Sequence, residues 1–88
     1  MNFQTEPGRI FAMDGEKLLA EVVFPNREGV AAITRTFVDD SLRGQGVAGQ
    51  LMDAAAAQIR ADGNRARPIC SYAKSWFERH PEAGDLIL

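Results

Sequence analysis

A glycine-containing turn between a β-type segment and an alanine-rich helical segment is the feature that most constrains the fold of this chain. The turn runs from Leu42 to Gly49, with spaced glycines at Gly44 and Gly46. At such a turn several backbone N–H groups point at one spot, where the helix dipole also favours negative charge. Arg43 adds a planar guanidinium that suits phosphate. The pattern predicts either an anion-binding loop or a tight turn whose glycines only let the helix pack closely.

Three β-type segments precede this turn. Arg9 to Met13 is short and apolar, and Asp14-Gly15 is a strong hairpin signal. Lys17 to Phe24 alternates loosely, and a second turn separates it from Val30 to Val38, which is rich in β-branched residues. The three segments predict an antiparallel meander.

The clearest helix spans Gly46 to Ala61. Gly63 is placed to end it in a left-handed conformation. Its apolar residues recur at helical spacing, so one stripe faces a core: Val47, Ala48, Leu51, Met52, Ala55 and Ile59.

A short strand and a second helix follow. Arg67 to Ser71 is predicted as a fourth strand, with Pro68 at its edge or start. Ser71 is placed to cap a helix that runs to about His80 and stops at Pro81. The apolar residues on one face of this helix are predicted to belong to the core: Tyr72, Ala73, Trp76 and Phe77.

The third strand, the long helix and the fourth strand form a right-handed β-α-β unit with parallel strands. This places the turn at the carboxyl end of the third strand and Cys70 at the carboxyl end of the fourth. Ligands in open α/β sheets bind at that edge. The predicted fold class is α/β, with a mixed α+β sheet in one domain over residues 1–88.

Composition excludes several classes of protein. A net charge of -2 and a pI near 5.3 argue against a general nucleic-acid binder. Cys70 is the single cysteine, so no intramolecular disulfide forms and a reducing compartment is expected. Met1 to Pro7 lacks a signal-peptide pattern, and no apolar run approaches the roughly 20 residues that span a bilayer. We therefore expect a soluble, cytoplasmic protein that contacts no membrane.

Few residues are candidates for chemistry. Helix N-termini favour a thiolate, so Cys70 is either reactive or an inert buried cysteine. His80 lies roughly 14 Å along the helix and is a poor partner for it. One His and one Cys do not make a metal site. The position of Asp39 and Asp40 in a turn favours capping and solubility, and Arg35 is a possible substrate contact.

The residues of the turn resemble a known family. Arg43-Gly44-Gln45-Gly46-Val47-Ala48 is similar to the signature Arg/Gln-x-x-Gly-x-Gly/Ala of GNAT acetyltransferases, which holds the pyrophosphate of acetyl-coenzyme A. Thr36-Phe37-Val38, Cys70-Ser71-Tyr72 and His80-Pro81-Glu82 resemble the short, stand-alone GNAT-like proteins. The resemblance runs from about Gly8 to Leu86.

The resemblance implies where acetyl-CoA binds. Its pantetheine arm would lie between two splayed strands, Val30–Val38 and Arg67–Ser71. Backbone groups of Phe37 and Val38 would hold that arm, and the backbone N–H groups from Arg43 to Ala48 would hold the pyrophosphate. Cys70 matches a catalytic residue proposed near the acetyl group, and it either takes the acetyl group first or only lines the site.

The implied function is an acetyl-CoA-dependent N-acetyltransferase that acts on an unidentified amine, which is a protein lysine, a polyamine or a small amine. The alternatives are a non-catalytic acyl-CoA-binding or regulatory module and a purely structural interaction domain. Arg35 stands where family members often carry His, which removes one candidate base. Full GNAT domains also carry helices near the N-terminus that shape the acceptor site, and this chain lacks them. It is expected to be a monomer or a weak homodimer.

Overall fold

The computed structural model describes residues 1–88 and contains seven strands and two α-helices. A 3₁₀ helix at Asp40–Leu42 precedes the first α-helix, and another at Pro81–Leu86 ends the chain. The elements are β1 (Gln4–Glu6), β2 (Arg9–Asp14), β3 (Lys17–Val23), β4 (Asn26–Arg27), β5 (Val30–Ile33), β6 (Arg35–Val38), α1 (Val47–Ala61), β7 (Arg65–Pro68) and α2 (Ser71–Arg79).

The predicted third strand is divided at Thr34 between two sheets. Its second half, β6, pairs antiparallel with β3 in a sheet of order β1-β2-β3-β6. Its first half, β5, pairs parallel with β7 in a sheet of order β4-β5-β7. The meander and the parallel β-α-β unit are both confirmed, but β5 belongs to the β-α-β unit and β6 belongs to the meander. Consequently β6 and β7 are not paired with each other.

Two boundaries near the fourth strand were predicted wrongly. The strand is Arg65–Pro68 rather than Arg67–Ser71, because the N–H groups of both Ile69 and Cys70 donate to the Ile33 carbonyl and the chain leaves the ladder there. The cap of α2 is Cys70 rather than Ser71. Cys70 keeps an extended backbone, and its sulfur accepts a hydrogen bond from the N–H of Ala73.

Both helices cover one face of the two sheets. Helix α1 contacts β2, β3, β6 and β7, and α2 contacts β7 and α1. Their buried side chains join those of the sheets in one core, which includes Val22, Phe24 and Ile33 from the strands and Leu51, Met52, Ile59, Trp76 and Phe77 from the helices. The opposite face carries no helix, and we call it the helix-free face. Neither helix is long and apolar enough to cross a membrane.

Glycines set both ends of α1. Gly46 is its N-cap, with a φ of 72°, and Gly63 follows its C-cap with a φ of 73°. The N–H of Asn64 reaches back to the carbonyl of Ile59 at 3.0 Å, which satisfies a terminal helix carbonyl. The predicted end of the helix is confirmed, and the start moves by one residue to Val47.

Candidate functional site

A gap opens where β5 and β7 stop pairing. The carbonyl of Ile33 accepts from the N–H of Ile69 at 2.9 Å and from that of Cys70 at 3.0 Å. Past this point β6 is paired only with β3, while the other chain turns into α2. We call the space between β6 and residues 69–70 the gap.

Backbone groups of alternate β6 residues face the gap. The N–H of Asp39 donates to the carbonyl of Leu19, and Phe37 lies opposite Glu21 in the same register. Because antiparallel ladders alternate, the N–H and C=O of Phe37 are directed at β3, and those of Thr36 and Val38 point away from it. Val38 thus offers its backbone to the gap, as does Thr36, which the sequence did not single out as a binding residue.

The cysteine thiol lies at the gap. Cys70 is half-buried, and its Sγ is 3.5 Å from the hydroxyl oxygen of Thr36 on β6. The same sulfur accepts a hydrogen bond from the N–H of Ala73 at 3.4 Å. The side chain therefore connects the two diverging chain segments and also caps α2.

The turn before α1 presents a run of free backbone donors. The N–H groups from Gly44 to Gly49 donate to no acceptor within the protein. Gly44 and Gly46 have φ values of 80° and 72°, and a Cβ on either would meet no atom within 4 Å. Their conformation, rather than lack of room, requires glycine. We call residues 44–49 the nest; its unpaired donors at a helix N-terminus suit an anion.

The Asp39 carboxylate orders the chain segment that precedes the nest. Asp39 accepts from the side chain of Ser41 at 2.6 Å and from its N–H at 3.1 Å. The Ser41 side-chain hydrogen bond, followed by the backbone one, holds the pKa of Asp39 below its usual value, with Lys17 adding its charge. The predicted capping role of Asp39 is confirmed.

The Arg43 guanidinium pairs with its neighbour Asp40 on the surface. Its Nε is 2.8 Å from Oδ1, and both side chains are largely exposed. Exposed pairs of this kind contribute at most about 1 kcal/mol. The guanidinium can therefore exchange the carboxylate for a phosphate at little cost.

The hydroxyl of Tyr72 lies near the last residue of the nest. A Cβ added at Gly49 would be 3.9 Å from that oxygen. Tyr72 is half-buried, and its hydroxyl makes no hydrogen bond within the protein. The first turn of α2 thus lies beside the first turn of α1, and it brings a phenol and a thiol to the same end of the sheet.

His80 lies at the other end of α2. Its Nδ1 is 2.7 Å from the carbonyl oxygen of Trp76, and its ring stacks on the Trp76 indole at 4.1 Å between centroids. The structure does not bring it to Cys70, in agreement with the distance estimated from the sequence. Trp76 and Phe77 are buried as predicted.

A charge cluster on the helix-free face was not predicted. Glu21 is buried and receives hydrogen bonds from Arg9 Nε at 2.6 Å and from Arg35 Nε at 3.0 Å. Burial alone raises the pKa of Glu21, but the hydrogen bonds and charges of the two arginines outweigh it and lower that pKa below its usual value. These residues are 12 and 14 positions apart in sequence, so only the strand register reveals the cluster.

A model of the GCN5-related N-acetyltransferases matches residues 9–86. The solution structure of a GCN5-like protein from Staphylococcus aureus is 26% identical, with a TM-score of 0.81, and the match covers 99% of this chain and 87% of that one.

Two longer structures share the fold at lower identity. The ribosomal-protein-S18-alanine N-acetyltransferase of Escherichia coli is 14% identical, with a TM-score of 0.66 over 81% of this chain and 49% of that one. Ard1 from Thermoplasma volcanium is 19% identical, with a TM-score of 0.62 over 88% of this chain and 54% of that one. The chain therefore spans about half the length of these two. No functionally curated protein matches it.

The match covers nearly the whole chain and includes the nest, the gap and Cys70. The fold is likewise the one found in the acetyltransferase structures. The protein belongs to the family of GCN5-related N-acetyltransferases.

Proposed function

We propose that the protein transfers an acetyl group from acetyl-CoA to an amine. The observation that carries this proposal is the nest beside the gap, with the thiol of Cys70 at the gap's edge. The nest offers consecutive unpaired N–H donors of the kind that bind a diphosphate. The free backbone edge of β6 offers the donors and acceptors that an amide-containing arm requires.

Each part of the site has a role in this proposal. The pyrophosphate is bound by the backbone N–H groups of Gly44, Gln45, Gly46, Val47 and Ala48. The Arg43 guanidinium leaves the Asp40 carboxylate and pairs with the pyrophosphate instead. Backbone groups of Val38 and Thr36 bind the pantetheine amides. Phe37 directs its backbone to β3, so we assign it a side-chain contact on the helix-free side of the gap.

When bound, acetyl-CoA supplies a thioester whose acyl carbon bonds to a neutral amine nitrogen while the C–S bond breaks and the amine gives up a proton. Cys70 lines the acyl end of the gap. The Tyr72 hydroxyl lies beside Gly49 of the nest and is free to donate a hydrogen bond to the bound cofactor.

Calorimetric titration with acetyl-CoA and with CoA tests the binding half of the proposal. We expect saturable binding of both ligands, and no heat at millimolar concentrations would refute it. Release of free CoA when an amine mixture is added tests the transfer half. Binding without transfer to any amine would instead favour a non-catalytic acyl-CoA-binding module.

A further inference from the structure

On the helix-free face no helix covers the gap. This inference rests on the proposed function, since it concerns what meets the thioester. Helices α1 and α2 and their shared core fill the other face. On the helix-free side, the gap is bordered by Phe37 on β6 and by Ile69, whose large side chain is 47% exposed. An amine that reaches the acyl carbon from this side has the face of the β4-β5-β7 sheet on one side of it and the face of the neighbouring sheet on the other.

Three arginines of the β4-β5-β7 sheet have no partner. Arg27, Arg65 and Arg67 are exposed, and their guanidinium groups make no ion pair and no hydrogen bond within the protein. Ala66 is fully buried in the core, so the side chains that flank it in β7 point to the helix-free face. A protein of net charge -2 thus concentrates unpaired positive charge beside the gap.

A concave surface lies beside these arginines, and apolar side chains form its base. It measures about 500 Å³ and is lined by Pro25, Arg27, Glu28, Val30, Ala32 and Arg67. Ala32 lies directly opposite Arg67 in the parallel ladder, and Val30 lies opposite Arg65. Glu28 is the one carboxylate on the rim. The unpaired guanidinium groups outnumber it, so the surface keeps a net positive charge.

Distance along the strand sets what kind of acceptor fits. Arg67 precedes Cys70 by three residues, which corresponds to roughly 10 Å of extended chain. A small amino acid cannot place its carboxylate that far from its amine, whereas an extended peptide does so about three residues away. Val30 and Ala32 give the intervening side chains an apolar contact.

We propose that the acceptor is an acidic peptide segment that lies on the β4-β5-β7 sheet, with carboxylates at Arg67 and Arg27 and its amine at the gap. In the transfer, the peptide amine nitrogen bonds to the acetyl carbon, the thioester C–S bond breaks, and CoA leaves as the thiol after taking up the proton that the amine releases. Polyamines and basic peptides are disfavoured because like charges repel.

Matched peptides test this surface independently of turnover. We would use short fluorescent peptides with one lysine and either glutamate, glutamine or arginine at the positions about three and five residues from it on the same side, made in both chain directions, because Arg27 is level with Arg65 and lies further from the gap than Arg67. Fluorescence anisotropy with the CoA-loaded protein measures their affinity. We expect the glutamate peptide to bind about tenfold more tightly than the glutamine peptide, with the arginine peptide weakest. Adding about 0.5 M sodium chloride should remove most of the difference.

Charge reversal locates the binding surface. Arg67→Glu and Arg27→Glu should each weaken binding of the glutamate peptide by roughly tenfold and strengthen that of the arginine peptide. Lys74→Glu, an exposed change of the same charge on α2, is the matched control and should leave both affinities unchanged. Affinity of the wild-type protein and of all three variants for CoA alone should be equal.

The outcomes separate this inference from the proposed function. Equal affinity for the three peptides, or a loss caused equally by Lys74→Glu, overturns the acidic-peptide surface even if acetyl transfer is observed. A CoA affinity lost in Arg67→Glu would overturn it too, because the arginines would then belong to the cofactor site. Absence of any CoA binding in the wild-type protein refutes the proposed function, and the peptide series measured without CoA then decides the surface by itself.

Discussion

The hydroxyl of Thr36 lies 3.5 Å from the sulfur of Cys70, although 34 positions separate the two residues in the sequence. Thr36 belongs to β6 and Cys70 to the N-cap of α2, so the contact joins the two chain segments that diverge at the gap. The same sulfur is held from behind by the N–H of Ala73. The thiol is thus fixed in orientation by one group from each side of the gap.

This geometry predicts that CoA protects Cys70 from alkylation. An arm bound along the free edge of β6 covers the sulfur, so saturating CoA should slow modification by iodoacetamide at least tenfold. Mass spectrometry of the intact protein over time measures the rate. An alkylation rate that CoA leaves unchanged would place the arm away from the thiol and contradict the proposed site.

Thr36→Val should lower the rate of acetyl transfer without loosening cofactor binding. Valine keeps the shape of threonine and removes the hydroxyl, so Cys70 loses one orienting partner while the backbone of residue 36 still faces the gap. We expect a kcat about threefold lower, with the affinity for CoA unchanged. Thr36→Ser, which retains the hydroxyl, is the control and should recover most of the loss. If valine and serine behave alike, the hydroxyl does not position the thiol.

Because the Glu21 carboxylate pairs with two arginines, we expect part of the free energy of unfolding to depend on pH. Its pKa is lowered in the folded protein, so the stabilisation is fully present above the unfolded-state pKa near 4.3 and is lost as the pH falls through the folded-state pKa. Glu21→Gln should cost about 2 kcal/mol at pH 7, because two arginines lose a charged acceptor. The difference from wild type should shrink on acidification.

Urea denaturation between about pH 3 and pH 7 measures this difference. Glu16→Gln removes an exposed carboxylate that makes no ion pair, and it serves as the control with a change within about 0.5 kcal/mol. A Glu21→Gln penalty that stays constant over the whole pH range would show that packing, rather than charge, is responsible.

Asp39→Ala should weaken both stability and CoA binding. The alanine removes two hydrogen bonds to Ser41 at the start of the segment that leads to the nest. Loss of such a cap costs about 1 kcal/mol, and a less ordered approach should reduce CoA affinity severalfold. Asp39→Asn keeps an acceptor oxygen, so its stability and its CoA affinity should lie between those of the wild-type protein and those of Asp39→Ala. Thermal denaturation measures the stability, and calorimetry measures the affinity. Unchanged CoA affinity in Asp39→Ala would show that the nest forms independently of this cap.

Local sequence signals predicted the helices and the nest because they act over a few residues. Gly63 ends α1 through its own left-handed conformation, and the spacing of Leu51, Ala55 and Ile59 places them in the core. The pairing of the strands was also predictable, since alternation and the β-α-β rule restrict the topology.

The break at Thr34 could not be predicted from local pattern. Val30 to Val38 is continuously β-forming, and only the competition between β3 and β7 as partners divides it. The same holds for the Arg9–Glu21–Arg35 cluster, which depends on register across three strands. Strand β1 has no apolar residue in Gln4–Glu6 and gave no alternation to detect. Contacts between distant segments therefore define the gap and the helix-free face, whereas the nest is encoded locally.

Because the nest depends on local backbone conformation, substitutions at Gly46 test it most directly. Its φ of 72° is tolerated by asparagine and aspartate better than by other side chains, and an added Cβ meets no atom within 4 Å. Gly46→Asn and Gly46→Asp thus carry nearly equal conformational strain, of order 1 kcal/mol, and differ chiefly in charge. Aspartate puts a carboxylate against the bound diphosphate, so its CoA affinity should fall at least a hundredfold, while asparagine loses less than tenfold. Equal losses measured by calorimetry in the two variants would mean that the nest does not bind phosphate.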